Sequence, residues 1–278
     1  MIRAIATETG QELLNAVLVD RQDLHEELAV FTIRPDLGSV PPFEAGQFCM
    51  VGLPLAEHEQ PLSRTGRRSR GPKLLRRAYS IASSPNQDGT IELFIVLVPD
   101  GQLTPRLWQL KPGDRLYLDP RVAGDFTLRG VPEGKDLVLV GTGTGLAPYL
   151  SMLRTYAGTD RWRRLALIHG VRYARDLGYP EHIAEIARED PSIRYLPACT
   201  REPEDSDWTG LRGRVQKFLC DPDHFEALAG FPLDPEQCHL FLCGNPAMTE
   251  SVQEYLTDRG FTRHTRREPG NMHVEHYW

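Results

Sequence analysis

Hydrophobic positions change rhythm partway along the chain. Over the first 130 or so residues they come in short runs separated by Pro and Gly, at 15–19, 28–34, 47–53, 79–82, 91–98 and 115–118. In 91–98, Glu92, Phe94 and Val96 fall on one side and Leu93, Ile95 and Leu97 on the other, the two-residue period of a strand. Several short strands at modest spacing predict an antiparallel barrel or sandwich. Residues 103–110 predict a short helix, closed by the turn Lys111-Pro112-Gly113-Asp114. Beyond Pro132-Glu133-Gly134 the pattern shifts. Leu137-Val138-Leu139-Val140 is apolar throughout, as a parallel strand covered on both faces must be. Helical spacing over 146–156, 180–189 and 246–259 alternates with strand-like runs at 165–169, 193–198 and 239–243. That order predicts a doubly wound parallel sheet with helices on both faces. The expected division is residues 1–132 and 133–278.

Length agrees, since 278 residues suit two domains of ordinary size. The net charge of −6 counts against nucleic-acid binding. No apolar run reaches bilayer length, and the first residues lack the basic-then-apolar pattern of an export signal. The five cysteines, Cys49, Cys199, Cys220, Cys238 and Cys243, are odd in number and widely spaced. This fits a reducing cytoplasm, offers no C-x-x-C metal site, and leaves any electron transfer to an organic cofactor. One stretch differs: residues 63–77 hold Arg64, Arg67, Arg68, Arg70, Lys73, Arg76 and Arg77 with no acidic residue, interrupted by Gly66, Gly71 and Pro72. It reads as a loop, either simply solvated or a landing site for an acidic partner.

Four segments carry candidate chemistry. Gly141-Thr142-Gly143-Thr144-Gly145-Leu146-Ala147-Pro148 follows a buried strand and opens a helix, where glycines let the backbone approach a phosphate. It is neither G-x-G-x-x-G nor a Walker loop. The next strand ends at Val171-Arg172 without an acidic residue, the third ends at Thr200-Arg201, and Arg214 follows soon after. Arginines gathered at one sheet edge suit a 2′-phosphate, although each alone reads as surface. In Arg77-Ala78-Tyr79-Ser80, alternation puts Arg77 and Tyr79 on one face and Ser80 on the other. Phe241-Leu242-Cys243-Gly244-Asn245-Pro246-Ala247 is another strand-to-helix junction, with Cys243 read either as a small core residue or as part of a site. The chain ends on Tyr277-Trp278, an aromatic pair expected to dock rather than fray.

In this order, Arg77-Ala78-Tyr79-Ser80, residues 98–107, residues 141–148, Arg172-Tyr173-Ala174, Thr200-Arg201-Glu202, residues 243–248 and the ending Glu275-His276-Tyr277-Trp278 resemble the bacterial ferredoxin/flavodoxin–NADP⁺ reductases. The resemblance covers nearly the whole chain. It implies an N-terminal FAD barrel, a C-terminal NADP domain, and hydride transfer between NADPH and flavin N5. Single-electron transfer to ferredoxin or flavodoxin would follow. It assigns Arg77, Ala78, Tyr79, Ser80, Ile95, Val96, Leu97, Gln102, Leu103, Thr104, Thr144, Tyr277 and Trp278 to FAD. Val171, Arg172, Thr200, Arg201, Arg214, Asn245, Pro246 and Ala247 fall to NADP. Ser80 is expected to orient N5 and Cys243 to pack beside the transfer path. The expected protein is a monomer without a metal. The stretch 56–75 is longer and richer in Arg than the family's usual hairpin, which puts partner choice in question. Two other readings use the same fold: an NAD(P)H-dependent flavin or oxygenase reductase, and a dinucleotide-binding sensor without catalysis.

Overall fold

The computed structural model describes residues 10–55 and 73–276. The N-terminal half is a six-stranded antiparallel sheet in the order β4-β3-β6-β1-β2-β5. Its strands are β1 (Ala16–His25), β2 (Leu28–Pro35), β3 (Phe48–Pro54), β4 (Leu74–Ser80), β5 (Ile91–Val96) and β6 (Arg115–Leu118). The outer strands meet where Ile81 bridges Leu93 and the Ala82 N–H donates to Glu92 O at 2.8 Å, closing the sheet into a barrel. Alternation in β5 sends Leu93 and Ile95 inward with Leu18, Phe31, Val51 and Leu116, while Phe94 faces the second domain.

The second half is a six-stranded, all-parallel sheet in the order β10-β9-β8-β7-β11-β12. It contains β7 (Asp136–Thr142), β8 (Arg164–Val171), β9 (Ile193–Cys199), β10 (Leu211–Arg212), β11 (Cys238–Gly244) and β12 (Met272–His276). Leu137 and Leu139 lie under α2 (Ala147–Tyr156) and α3 (Pro180–Glu189). Val138 and Val140 lie under α4 (Val215–Leu219), α5 (Pro222–Ala229) and α6 (Pro246–Asp258). The apolar run of β7 therefore feeds two cores.

The halves share one of those cores. Leu28, Val30, Ala82 and Phe94 from the barrel pack in the same cluster as Leu139, Leu150 and Leu167 from the sheet domain. Polar contacts bolt α2 to the segment that follows β4: Ser151 Oγ donates to Ser83 O at 2.7 Å, and Arg154 Nη1 donates to Ala82 O at 3.2 Å. Arg154 also pairs with Glu92 at 2.6 Å, and Tyr179 Oη donates to the same carboxylate at 3.1 Å.

Several elements differ from the pattern-based expectation. The helix expected over 103–110 is only α1 (Thr104–Leu107). Arg21 reaches across to take Trp108 O at 2.6 Å, and the Trp108 indole donates to Glu26 O at 2.8 Å, which draws the chain out of the helix. The C-terminal part of the basic stretch is strand, not loop: β4 starts at Leu74 and pairs residue by residue with β3, from Pro54↔Leu74 to Phe48↔Ser80. The preceding residues 56–72, including Arg64, Arg67, Arg68 and Arg70, lie outside the described residues. Among the described residues, no helix is long and apolar enough to cross a membrane, and no group of three or more His, Cys, Asp or Glu could hold a metal ion.

Asp136 anchors the start of β7. It is 1% exposed, with Arg163 Nε at 2.9 Å and Arg164 Nε at 3.1 Å. Burial pushes its carboxyl up, but the bonds from the two guanidinium groups outweigh it and hold it below the ordinary 3.8. A depressed pKa stabilises the fold above the unfolded-state value, and that contribution is lost as pH falls through the folded one. Asp136→Asn is expected to cost about 2–3 kcal/mol at pH 7, since it leaves two half-exposed cations without a counter-charge. The difference in urea midpoint between variant and wild type should shrink as pH falls below 4.

Candidate active site at the domain junction

Strand order locates the site. From β7 the chain moves outward through β8 and β9, then returns to the other side of β7 as β11. The loops leaving β7 and β11 therefore part in opposite directions, and the carboxyl ends of these strands border a crevice, the usual ligand position in open α/β sheets. Close packing welds its rim. A Cβ on Gly145 would fall 2.4 Å from Cys243 O, and Gly244, at φ +131, would bring one within 2.3 Å of Thr142 Oγ1. Thr142 Oγ1 accepts the Asn245 N–H at 2.9 Å. Asn245 Oδ1 accepts from Ala247 N at 3.0 Å and so caps α6, with Pro246 at the first helical position. Below the rim, Tyr149 Oη shares its proton between Val140 O at 2.9 Å and Phe241 O at 2.7 Å, tying β7 to β11 where they begin to separate.

One row of the sheet concentrates the polar groups. The registers align Pro197 of β9, His169 of β8, Gly141 of β7, Cys243 of β11 and Glu275 of β12. Cys243 is fully buried within this row. Glu275 ends it toward the barrel, where Ser80 Oγ donates to Glu275 Oε2 at 3.3 Å. That contact spans 195 residues and brings the last residue of β4 to the crevice. Burial pushes the Glu275 carboxyl up to about 7, against the smaller opposing effect of the Ser80 bond.

On the barrel side, Arg77 and Ala78 are exposed, Tyr79 is half-buried and Ser80 is buried. Burial raises the Tyr79 phenol, so it stays neutral. Arg77 Nη2 donates to Gln102 Oε1 at 3.2 Å, with the guanidinium at the surface. Ile95 is buried in the barrel core, Val96 is half-buried against the core shared by the two halves, and Leu97 is half-buried. Leu103 is buried, and Thr104 Oγ1 is committed to the loop, accepting from Val98 N at 3.0 Å and donating to Val98 O at 3.1 Å. Thr144 is buried in the turn after β7.

At the far end of the crevice, Val171 is buried at the tip of β8, and Thr200 Oγ1 donates to Val171 O at 3.1 Å. The Arg201 N–H donates to Arg172 O at 2.8 Å, so the ends of β8 and β9 run side by side. Arg172, Arg201 and Arg214 are all exposed at this edge, Arg214 just before α4. Tyr277 and Trp278 lie outside the described residues. The sequence pattern missed two members of the polar row, Glu275 and His169. Each occupies a strand whose chemistry appears only once neighbouring strands are placed beside it.

The comparisons with known proteins agree with this arrangement. Residues 16–120 match the oxidoreductase FAD-binding domain family, and residues 139–254 match the oxidoreductase NAD-binding domain family. The fold and its crevice thus define an oxidoreductase that joins an FAD-binding barrel to a nicotinamide-nucleotide sheet. Flavodoxin/ferredoxin–NADP reductases of Shigella flexneri and of Escherichia coli K12 are each 38% identical over 239 residues, covering 85% of this chain and 88% of theirs. A ferredoxin–NADP⁺ reductase from Neisseria gonorrhoeae, solved with FAD and NADP bound, superposes with a TM-score of 0.77 at 28% identity, over 95% of this chain and 97% of that one. The chain belongs to the flavodoxin/ferredoxin–NADP reductases.

Proposed function

We propose that this chain exchanges a hydride between NADPH and FAD held at the junction, and passes electrons singly to ferredoxin or flavodoxin. The observation that carries this reading is the Ser80–Glu275 contact, which joins the barrel strand to the crevice of the parallel sheet. Bound FAD supplies the conversion between two-electron and one-electron chemistry. The residues fit it. Arg77 offers exposed donors to a pyrophosphate beside Gln102, and the phenol of Tyr79 lies against the ribitol or ring. Ser80 presents a buried hydroxyl to the flavin edge, with Ala78, Val96 and Leu97 lining the barrel side and Thr144 the other. Gln102, Leu103 and Thr104 shape the loop near the phosphates, Thr104 through its bonds to Val98. Glu275, its carboxyl pushed up to about 7, gains and loses a proton beside Ser80 around neutral pH.

Arg172, Arg201 and Arg214 grip the 2′-phosphate of NADPH, while Val171 and Thr200 frame its adenosine. Asn245, Pro246 and Ala247 border the nicotinamide side, and Cys243 packs beneath the transfer path. The resemblance assigns the terminal pair Tyr277 and Trp278 to FAD binding as well. The charge of the basic stretch 63–77 attracts an acidic carrier to a monomeric reductase.

Purified protein is expected to be yellow, to bleach anaerobically on addition of NADPH, and to recover its colour when oxidised ferredoxin or flavodoxin is added. Colourless protein that takes up no FAD would remove this reading. Bleaching by NADPH with no recovery from either carrier would instead favour reduction of a small acceptor.

A further inference from the structure

His169 is fully buried in β8, on the sheet face covered by α2, and its Nε2 lies 2.9 Å from the carbonyl oxygen of Gly143. A carbonyl oxygen only accepts, so Nε2 carries the proton and Nδ1 is the lone-pair nitrogen. Nδ1 is buried without a partner, and burial holds the imidazole pKa down to about 4. The ring is therefore neutral and confined to one tautomer across the working pH range.

Its acceptor is an unusual point in the backbone. Gly143 sits at φ +55, and a Cβ there would meet nothing within 4 Å. Left-handed backbone, rather than crowding, is what calls for glycine here. Glycine by itself has no preference between φ > 0 and φ < 0, and this turn contains three glycines in five residues, from Gly141 to Gly145. Gly141 and Gly145 are confined by Tyr149 and by the Cys243 backbone. Gly143 has no such wall; it opens the short 3-10 turn Gly143–Leu146, and the His169 ring meets its carbonyl from below. Because a trans peptide is planar, its C=O and the following N–H point in opposite senses. Anchoring Gly143 O on His169 turns the Thr144 N–H the other way, away from His169.

We propose that His169 is a positioning residue for the coenzyme: it holds the Gly143–Thr144 peptide so that the Thr144 N–H is presented to the nicotinamide nucleotide. This rests on the reading that the crevice binds NADP(H). The competing account is that His169 only fills space under α2.

The test compares His169→Leu, which removes the donor, with His169→Gln, which keeps an N–H. His169→Leu is expected to raise KM for NADPH about tenfold, the size of one lost hydrogen bond. FAD content should stay unchanged and kcat should move by less than about threefold, and His169→Gln should recover most of the loss. An unchanged KM in His169→Leu, or equal impairment in both variants, would overturn the proposal. If neither variant folds, imidazole ¹⁵N spectra of the wild-type holoenzyme decide. A neutral Nε2–H resonance that shifts on addition of NADP⁺ is the expected result. A protein that binds NADP⁺ while this resonance stays in place overturns the inference alone. A wild-type protein that binds no NADP⁺ removes the proposed function and this inference together.

Discussion

Replacing Arg172 and Arg201 together with Ala is expected to lower kcat/KM for NADPH by ~10²–10³, while turnover with NADH changes by less than about threefold. The two residues stand side by side because the Arg201 N–H is bonded to Arg172 O, so one phosphomonoester can be reached from both. A hydrogen bond to a charged group contributes about 1.5–3 kcal/mol, and exposure places these near the lower end. Two such bonds give about 3–4 kcal/mol. The effect should fall mainly on KM, because the 2′-phosphate is distant from the bond that changes and is held equally before and during reaction. Steady-state kinetics with both coenzymes checks it. Equal losses with NADPH and NADH would make the arginines structural, and no loss with either would take the phosphate site away from this edge.

The second large effect is expected at Ser80 and Glu275. Ser80→Ala should slow anaerobic flavin reduction by NADPH about 10²-fold in stopped flow with little change in FAD content, as loss of a group that orients reacting partners does. Glu275→Gln should leave a slower reaction that no longer depends on pH between 6 and 8, because the group titrating near 7 is gone. Stability supplies an independent reading. The folded pKa of Glu275, about 7, lies above its ordinary 4.5, so its contribution is fully present below pH 4.5 and is lost as pH rises through 7. Glutamine does not ionise. The variant should therefore gain on wild type by up to about 3 kcal/mol between pH 5 and pH 8. Parallel thermal profiles of the two proteins would show that Glu275 is not held neutral by burial.

Much of the fold was legible because single strands carried enough information. Leu137-Val138-Leu139-Val140 could only be a strand covered on both faces, and the glycine turn behind it marked the edge where ligands gather. Elements that depend on neighbours were harder to see. β12 reads Met-His-Val-Glu-His, with little to distinguish it from a polar tail, and becomes a strand by lying parallel to β11. The polar half of β1, from Asp20 to His25, is extended because β2 pairs with it, not because its own residues alternate. The helices α4 and α5 escape a periodicity search because they are short and broken at Cys220-Asp221. For the same reason Glu275 had no visible role: its partner Ser80 lies in the other domain.

The way α2 is fixed at both ends bears on how this enzyme could be recombined with others. The helix leaves the glycine turn at one end, and along its length Ser151 and Arg154 grip the backbone that emerges from the Ser80 strand. A chimera that exchanged the nucleotide-binding half alone would graft a foreign helix onto residues 82–84 and lose both grips wherever that helix lacks a Ser and an Arg at the matching positions. The transferable unit is not a domain as the chain order suggests. It is the second half together with the short segment after β4, two pieces far apart in sequence that must come from the same parent.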